Sequence, residues 1–599
     1  MLRGSNDKEL IEKGIKKEII PFYQIWQELV NVKTLDVYQY RILTSLSALK
    51  ELAEVLKKTL EGLFNSDANI DACREETLYI LSQDLVMEKY YKPVLGRLKF
   101  SLGNKPKTVA EKNRLLHQLK YIIDVLEPDY LENTLMELEN SIKSGELKRI
   151  EFYANTVASQ AVYNGWSAHA LFDLLRLFST DKDFDLQWKD FKGKLLNEKR
   201  TKHDVLINIP FKKQAKEEQV QTLEALHKLG INIKGYGEII CEFSDVQDIE
   251  QRIKSDKRYF HISVEAYDIY TAAHMAIREI SEQLNMASFY NLVSAWDLSS
   301  VVILSINSIS KYHRAFPAEQ LYQTYDYIDS SGKIFDNTRK IFQDKNKSKI
   351  REKLQGAFGY TNISRASLFQ EEKYMNLWVS LESLARTDMY SDIISNVKET
   401  VPAALSLRYV YRIVRNYVED CNRCGVKLDF SNNRSIDMKQ DTKQKMVCEM
   451  IEIFQDETLY TALLEKCDVN SLLKYRTESV YMLLNNIEIV KNKVENHYNK
   501  VKWQIQRLYR IRNEIAHAAL RERASLIVYI EHLYDYLSTY IIEIVTCLAE
   551  NGQDNIEEAL CFIKDNYEIF VEYAKNKENE VLKNSILKTG IINLITKGD

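Results

Sequence analysis

Residues 203–210 read HDVLINIP, and this short stretch decides between an all-helical chain and a mixed one. Val205, Ile207 and Ile209 alternate with the other positions, which is the pattern of a β-strand. A helical pattern follows it, and further strands are indicated at Ile231–Ile233, Glu238–Phe243 and Tyr259–Val264. Alternating strands and helices over residues 200–300 predict a small α/β module.

Outward from this module, apolar residues recur at spacings of three and four, as on one face of a helix. Residues 1–195 predict a helical N-terminal domain, with one such stripe at Ile42, Leu46, Leu49, Leu52 and Leu56. Residues 301–364 are polar and less regular and predict a connecting region. Long helical patterns resume over 365–550, and 551–599 predicts a helical tail. The predicted fold class is therefore mainly α, a multi-domain helical protein with a small α/β module in the middle.

The composition agrees with this fold class. A chain of 599 residues is too long for one hydrophobic core. Hydrophobic residues make up 45% and charged residues 28%, as in ordinary globular proteins. Only 18 Gly and 7 Pro are present, so helix-breaking residues are scarce for this length. Several helical domains are the expectation.

The charge balance excludes a global electrostatic argument for nucleic-acid binding, because the net charge is only −4. Any such argument must depend on a local patch. The opening residues MLRGSNDKELIEKG have no apolar core, which predicts no secretory signal. No apolar run approaches the ~20 residues that span a bilayer. We therefore expect a cytoplasmic protein with no membrane partner.

The eight cysteines are dispersed along the chain, which suits reduced thiols rather than a disulfide framework. Cys421 and Cys424 have the spacing of half a zinc site. No second pair with partner spacing appears, so ordinary cysteines near a helix end are the alternative interpretation, and the favoured one. We predict no bound metal and no cofactor.

Residues 491–523 are the local exception to a nearly neutral chain. They contain nine Lys or Arg against three Glu, a net charge of +6, with aromatic residues interleaved. Such a stripe suits the phosphates and stacked bases of single-stranded nucleic acid. A solvated helix whose aromatic residues face the core has the same pattern. The candidate RNA-binding residues are Lys502, Trp503, Arg507 and Arg510.

The end of this stripe carries the motif that decides the functional hypothesis. Arg512-Asn-Glu-Ile-Ala-His517 has Arg and His with four residues between them, Asn directly after Arg and apolar residues before His. It lies late in the helical block and resembles the catalytic motif of HEPN-family ribonucleases. The resemblance implies a C-terminal domain of the HEPN four-helix-bundle type over residues 365–550, with Arg512, Asn513 and His517 in the catalytic site.

A second resemblance lies upstream. Trp378-Val-Ser-Leu-Glu382-Ser-Leu resembles the first helix of the HEPN branch found in ApeA-like phage-defence proteins, and Glu382 matches an acidic position there. This likeness implies a role in abortive infection. Two features depart from the family pattern. The span between the two motif helices is long, and the Asn-rich loop at 425–441 is an addition to the minimal domain.

The residue types suit metal-independent RNA cleavage, in which the 2′-hydroxyl of RNA attacks the adjacent phosphorus. Histidine is the side chain whose unperturbed pKa lies near neutrality, so His517 suits proton transfer. The forked donors of Arg512 suit stabilisation of the phosphorane oxygens. The resemblance assigns these roles, and Asn513 is expected to orient His517 or to donate to the phosphate.

Helical geometry adds a condition. On a continuous helix, five residues separate Arg512 and His517 by about 140° around the axis, whereas Asn513 and His517 share a face. One motif also supplies one histidine, and the family pairs two domains in one cleft, which implies a homodimer or a higher homo-oligomer. The sequence therefore predicts an endoribonuclease that cuts single-stranded RNA or tRNA and leaves a 2′,3′-cyclic phosphate. We expect the N-terminal regions to restrain it until a phage-derived or nucleotide trigger appears.

Two alternatives remain open. One is a non-catalytic HEPN scaffold that binds RNA or a protein. The other is a purely structural helical protein in which His517 is a core histidine and Arg512 a surface ion-pair partner.

Overall fold

A computed structural model describes residues 6–575, apart from 32–33, 36–37, 65, 198, 211–215, 291–300, 319–331, 368, 431–433, 439–440, 519–525 and 551. Within its helices, the side chains at 216, 218, 332–333, 443, 517–518 and 573 also lie outside the described part. The protein is mainly helical, with a five-stranded sheet in the middle of the chain, as the sequence predicted.

The N-terminal region is entirely helical in its described residues. Its α-helices are α1 (Asp7–Glu12), α2 (Ile20–Leu29), α3 (Ser45–Leu60), α4 (Ala68–Gln83), α5 (Leu85–Tyr90), α6 (Lys92–Gly103), α7 (Val109–Leu126), α8 (Tyr130–Ser144), α9 (Leu147–Asn164), α10 (Ala168–Asp173) and α11 (Phe184–Asn197). The predicted stripe lies in and just before α3, where Leu46, Leu49, Leu52 and Leu56 are buried. An aromatic cluster fixes α2 against the end of this region, through Phe22, Trp26, Phe178, Trp188 and Phe191.

The central module is a five-stranded antiparallel sheet with strand order β2-β3-β1-β4-β5. Its elements are β1 (Thr201–Asn208), α12 (Lys216–Lys228), β2 (Ile233–Gly235), α13 (Tyr236–Glu242), α14 (Ile249–Arg252), β3 (Arg258–Ala266), α15 (Ile269–Phe289), β4 (Val302–Asn307) and β5 (His313–Pro317).

Successive side chains of β1, in the stretch HDVLINIP, lie on opposite faces of this sheet. Val205 and Ile207 belong to the main hydrophobic core, together with apolar residues of α15. Leu206 faces the other way, into a small second core with Ile239 and Phe243. The period of two thus places successive side chains of β1 in different cores.

Two expectations for this module are wrong. Glu238–Phe243 was predicted as a strand, but Tyr236–Glu242 is the helix α13. Its Ile239 packs into the small core, and Glu238 accepts a hydrogen bond from the Gly235 amide at 2.6 Å, which caps the helix start. The sheet also continues to Pro317, so β4 and β5 lie in the stretch that the sequence assigned to a connecting region.

The C-terminal region returns to helices. They are α16 (Gly332–Gln343), α17 (Ser348–Ala366), α18 (Gln370–Ala385), α19 (Ile393–Leu407), α20 (Tyr409–Arg423), α21 (Lys443–Gln455), α22 (Glu457–Lys466), α23 (Ser471–Leu484), α24 (Ile487–Ala518), α25 (Leu526–Glu550) and α26 (Ile556–Lys575). Helix α24 packs against α18, α19, α23 and α26, and also against α4 of the N-terminal region. Among the described residues, no helix is long and apolar enough to cross a membrane.

Candidate functional site

Helix α24 carries the motif and most of the cationic stripe. It begins after Asn486, whose side chain accepts hydrogen bonds from the backbone amides of Glu488 at 3.0 Å and Ile489 at 3.2 Å. One face is apolar and buried in the main core, through Val501, Ile505, Leu508 and Ile511. The helix runs without interruption to Ala518, so the whole motif lies in continuous α-helix near its C-terminal end.

Arg512 and Asn513 are neighbours in contact. The Nη1 of Arg512 donates to Oδ1 of Asn513 at 3.2 Å, and both side chains are half-buried. The Nε of Arg512 is buried and has no hydrogen-bond partner, and no carboxylate of the described residues pairs with this guanidinium. A guanidinium in this state has donors to offer to an anion. The side chain of His517 lies outside the described residues.

Arg507 and Arg510 lie on a different face of α24, against α3 and α4. Arg507 Nε lies 2.9 Å and 3.1 Å from the two oxygens of Glu51, and its Nη2 contacts Glu76. Arg510 contacts the same Glu51, and its Nη1 lies 3.1 Å from the sulfur of Cys73. Both arginine side chains are only 2% exposed. In this conformation neither guanidinium is open to a nucleic acid.

The electrostatics of this contact favour the charged arginines. Burial by itself lowers the pKa of Arg507, but the carboxylates of Glu51 and Glu76 reverse this effect and hold its pKa above the ordinary value. For Glu76, burial outweighs the attraction of Arg507, so its pKa is raised. A third pair crosses the contact with opposite polarity, since Lys58 Nζ of α3 lies 3.0 Å from Oε1 of Glu514.

The other two candidate RNA-binding residues are also engaged within the protein. The Trp503 ring packs against Tyr79 of α4, with ring centroids 5.4 Å apart. Lys502 pairs with Glu399 of α19, a carboxylate that also accepts from Tyr498 at 2.7 Å. Burial raises the pKa of Glu399, but these partners together with Lys564 hold it at about 2. All four candidate RNA-binding side chains therefore contact other parts of the protein in this conformation.

Glu382 lies on α18, and this helix contacts α24. The hydroxyl of Tyr374 donates to the backbone oxygen of Leu508, and the Trp378 ring lies 5.9 Å from that of Tyr509. Glu382 follows one turn later and is half-buried. Within the described residues its carboxylate makes no hydrogen bond or ion pair. The structure thus joins the two motif helices without joining Glu382 to Arg512.

Sequence reasoning missed Glu531. Its carboxyl, on α25, is close enough to Tyr40 to act on it electrostatically, together with Tyr529. Burial raises the pKa of Glu531 to about 8, and no partner among the described residues offsets this. Because a single Glu on an amphipathic helix normally faces solvent, no local pattern marked this residue.

The cysteines agree with reduced thiols, since all eight are free. Cys421 is buried in the last turns of α20 and Cys424 follows the helix, so the pair lies at a helix end. Among the described residues, no three His, Cys, Asp or Glu side chains are arranged to hold a metal ion.

Comparison of the chain with protein-family models, with curated proteins and with solved structures finds no match. The resemblance to HEPN ribonucleases therefore depends on the residues of the two sequence motifs.

Proposed function

We propose that the chain is a metal-independent endoribonuclease of the HEPN type that cuts single-stranded RNA or tRNA. The observation that carries the proposal is the state of Arg512. Its guanidinium has no carboxylate partner among the described residues, it contacts Asn513, and it lies on the same helix as His517. The more deeply buried Arg507 and Arg510 of the same helix are, in contrast, both paired with carboxylates.

The reaction needs one proton transfer at each side of the phosphorus. The 2′-oxygen attacks and loses its proton, the bond from phosphorus to the 5′-oxygen breaks, and that oxygen gains a proton. The products are a 2′,3′-cyclic phosphate and a 5′-hydroxyl. His517 exchanges a proton with one of these oxygens, and Arg512 stabilises the charge on the non-bridging oxygens. No oxidant or metal enters this balance.

Asn513 and Glu382 have supporting roles in this proposal. The Oδ1 of Asn513 accepts from Arg512, which leaves its Nδ2 to donate to the phosphate or to His517. Glu382 lies on the helix that contacts α24, where it would orient a basic group of the site. Since one chain supplies one histidine, we propose a homodimer or higher homo-oligomer with both motifs in one cleft.

The proposed biological role is anti-phage defence or a toxin system, in the cytoplasm, where the thiols remain reduced. An unrestrained ribonuclease is toxic to its host, so the N-terminal helices and the sheet module would hold it inactive until a phage-derived or nucleotide trigger arrives. This role comes from the family resemblance.

The decisive experiment is cleavage of end-labelled single-stranded RNA and of tRNA in the presence of EDTA. Arg512→Ala and His517→Ala should abolish cleavage, and the product ends should carry the cyclic phosphate. His117→Ala, which changes an exposed histidine of α7, is the matched control. Cleavage that survives His517→Ala would refute the assignment, as would the absence of cleavage with every trigger tested.

A non-catalytic HEPN scaffold is the second candidate, and one observation favours it. Arg507 and Arg510 are neutralised by acidic residues of the same chain, as expected of a helix whose task is to hold protein segments together. The scaffold predicts that His517→Ala spares both binding and the biological effect. Toxicity on expression, compared between wild type and His517→Ala, separates the two candidates.

A further inference from the structure

The face of α24 that meets the N-terminal region is polar at successive turns. It presents Gln506, Arg507, Arg510 and Glu514, all of them buried. The opposing surface is formed by α3 and α4, named here the α3–α4 hairpin (residues 45–83). The apolar face of the same helix packs elsewhere, so contact with the hairpin is made largely through charged and amide groups.

The charges in this contact are complementary. Helix α24 contributes the cations Arg507 and Arg510, which pair with Glu51 and Glu76 of the hairpin. It also contributes the anion Glu514, which pairs with Lys58. An amide pair lies beside them, with Gln506 Nε2 2.8 Å from Oδ1 of Asn69. This pattern selects one register of the hairpin on the helix.

Glu51 has the position that a phosphate would take. Both arginines converge on this one carboxylate, and both of its oxygens lie within hydrogen-bond distance of Arg507. Two guanidinium groups around one anion with two oxygens is the arrangement that also binds a phosphodiester. Glu76 supplies a second anion to the same Arg507.

A contact of this kind can be exchanged for another ligand. Buried ion pairs often stabilise a fold no more than apolar residues of the same size would, because both charges lose their hydration. When such a contact opens, water or phosphate oxygens can satisfy each exposed group. An apolar interface has no such replacement. Exposure of the polar face of α24 to water thus requires less free energy than exposure of its apolar face.

We propose that the α3–α4 hairpin is an internal mimic of the RNA backbone, and that it covers an RNA-binding face formed by Arg507 and Arg510. This inference rests on the proposed function and specifies how the same helix is restrained. Release of the hairpin exposes two cations within about two turns of Arg512. It also uncovers Trp503, whose ring then stacks with a base instead of with Tyr79.

The test uses the full chain in a His517→Ala background, so that binding is measured without cleavage. The variant Glu51→Gln/Glu76→Gln keeps side-chain size and removes the two negative charges. Fluorescence anisotropy with a labelled single-stranded oligouridylate should show at least tenfold tighter binding. The slope of log K against log salt should steepen by about 1.4, since each phosphate neutralised on a single strand contributes about 0.7.

The matched control is Glu61→Gln, which removes a carboxylate paired with Lys57 just after α3, outside the contact. It should leave affinity and slope unchanged. Unchanged affinity in the folded double variant, beside a wild type that binds and cuts RNA, overturns the hairpin proposal alone. RNA binding absent from every variant, together with no cleavage, overturns the proposed function and this inference together.

A second measurement does not depend on the stability of the variant. Hydrogen–deuterium exchange of the His517→Ala protein is followed with and without saturating oligouridylate. The amides of α3 and α4 should exchange faster when the RNA is bound, because the hairpin has left α24. Equal protection of these amides with RNA bound would overturn the proposal.

Discussion

The guanidinium of Arg507 binds the carboxylate of Glu51, with Nε 2.9 Å from Oε1, although 456 residues separate them along the chain. The two side chains are 2% and 15% exposed, so the pair is largely shielded from water. The helix that carries the candidate catalytic motif is thereby attached directly to the first part of the chain. Changes in α3 or α4 are therefore expected to reach the motif through α24.

Replacement of Arg512 by lysine tests whether the planar fork is needed or only the charge. Lysine keeps the cation but offers no paired donors to a phosphorane. We expect Arg512→Lys to lower kcat/KM for single-stranded RNA by about 10²–10³-fold. Arg434→Lys, at a partly exposed site paired with Glu452, is the control and should have the wild-type rate. A wild-type rate for Arg512→Lys would contradict the proposed role.

The pair of Glu28 on α2 and Arg476 on α23 tests how firmly the N-terminal region is attached. The side chains are 3% and 5% exposed, and the Arg476 guanidinium lies 3.2 Å from the centroid of the Tyr38 ring. Glu28→Ala leaves a buried arginine without its anion, so we expect a loss of about 3–5 kcal/mol in the free energy of unfolding. Urea denaturation measures this loss.

Glu127→Ala is the control for that experiment. Glu127 pairs with Lys50 but is 56% exposed, so its replacement should change the free energy of unfolding little. The double variant Glu28→Leu/Arg476→Met removes both buried charges. Its loss in the free energy of unfolding should be smaller than the sum of the losses in the two single variants. Additive losses, or a Glu28→Ala protein as stable as Glu127→Ala, would contradict the prediction.

Glu531 predicts how stability depends on pH. Burial raises its pKa from 4.5 in the unfolded chain to about 8 in the folded one. The folded state thus favours the protonated form of Glu531. The contribution of Glu531 to the free energy of unfolding is therefore fully present below about pH 4.5. It is lost as the pH rises to about 8. The melting temperature should therefore fall across this range, and Glu531→Gln should flatten the fall. An equal slope in both proteins would be evidence against a neutral Glu531 in the folded state.

The proposed composite site predicts the oligomeric state. Light scattering coupled to size-exclusion chromatography should give at least twice the chain mass at the concentrations where RNA is cut. Specific activity should also fall on dilution, as the oligomer dissociates. A protein that cuts RNA as a monomer would show that one motif is sufficient, and the cleft between two copies would then be wrong.

Features with a local cause were predictable from the sequence. The period of two in HDVLINIP predicted β1, and Val205 and Leu206 do face different cores. The apolar spacing of α3 and the long helical pattern around Arg512 were also read correctly. In each case neighbouring residues alone determine which face is buried.

The sequence by itself determined the mainly helical fold, the position of β1 and the helix that carries Arg512 and Asn513. Only the tertiary structure decided the remaining points. Tyr236–Glu242 is a helix whose Ile239 packs against the sheet. Strand β4 pairs with the edge of β1 that β3 does not occupy. The burial of Arg507 also depends on tertiary contacts, because it pairs with Glu51 and Glu76 of the N-terminal region. Periodicity reports a residue's near neighbours, whereas burial and ion pairing depend on partners hundreds of residues away.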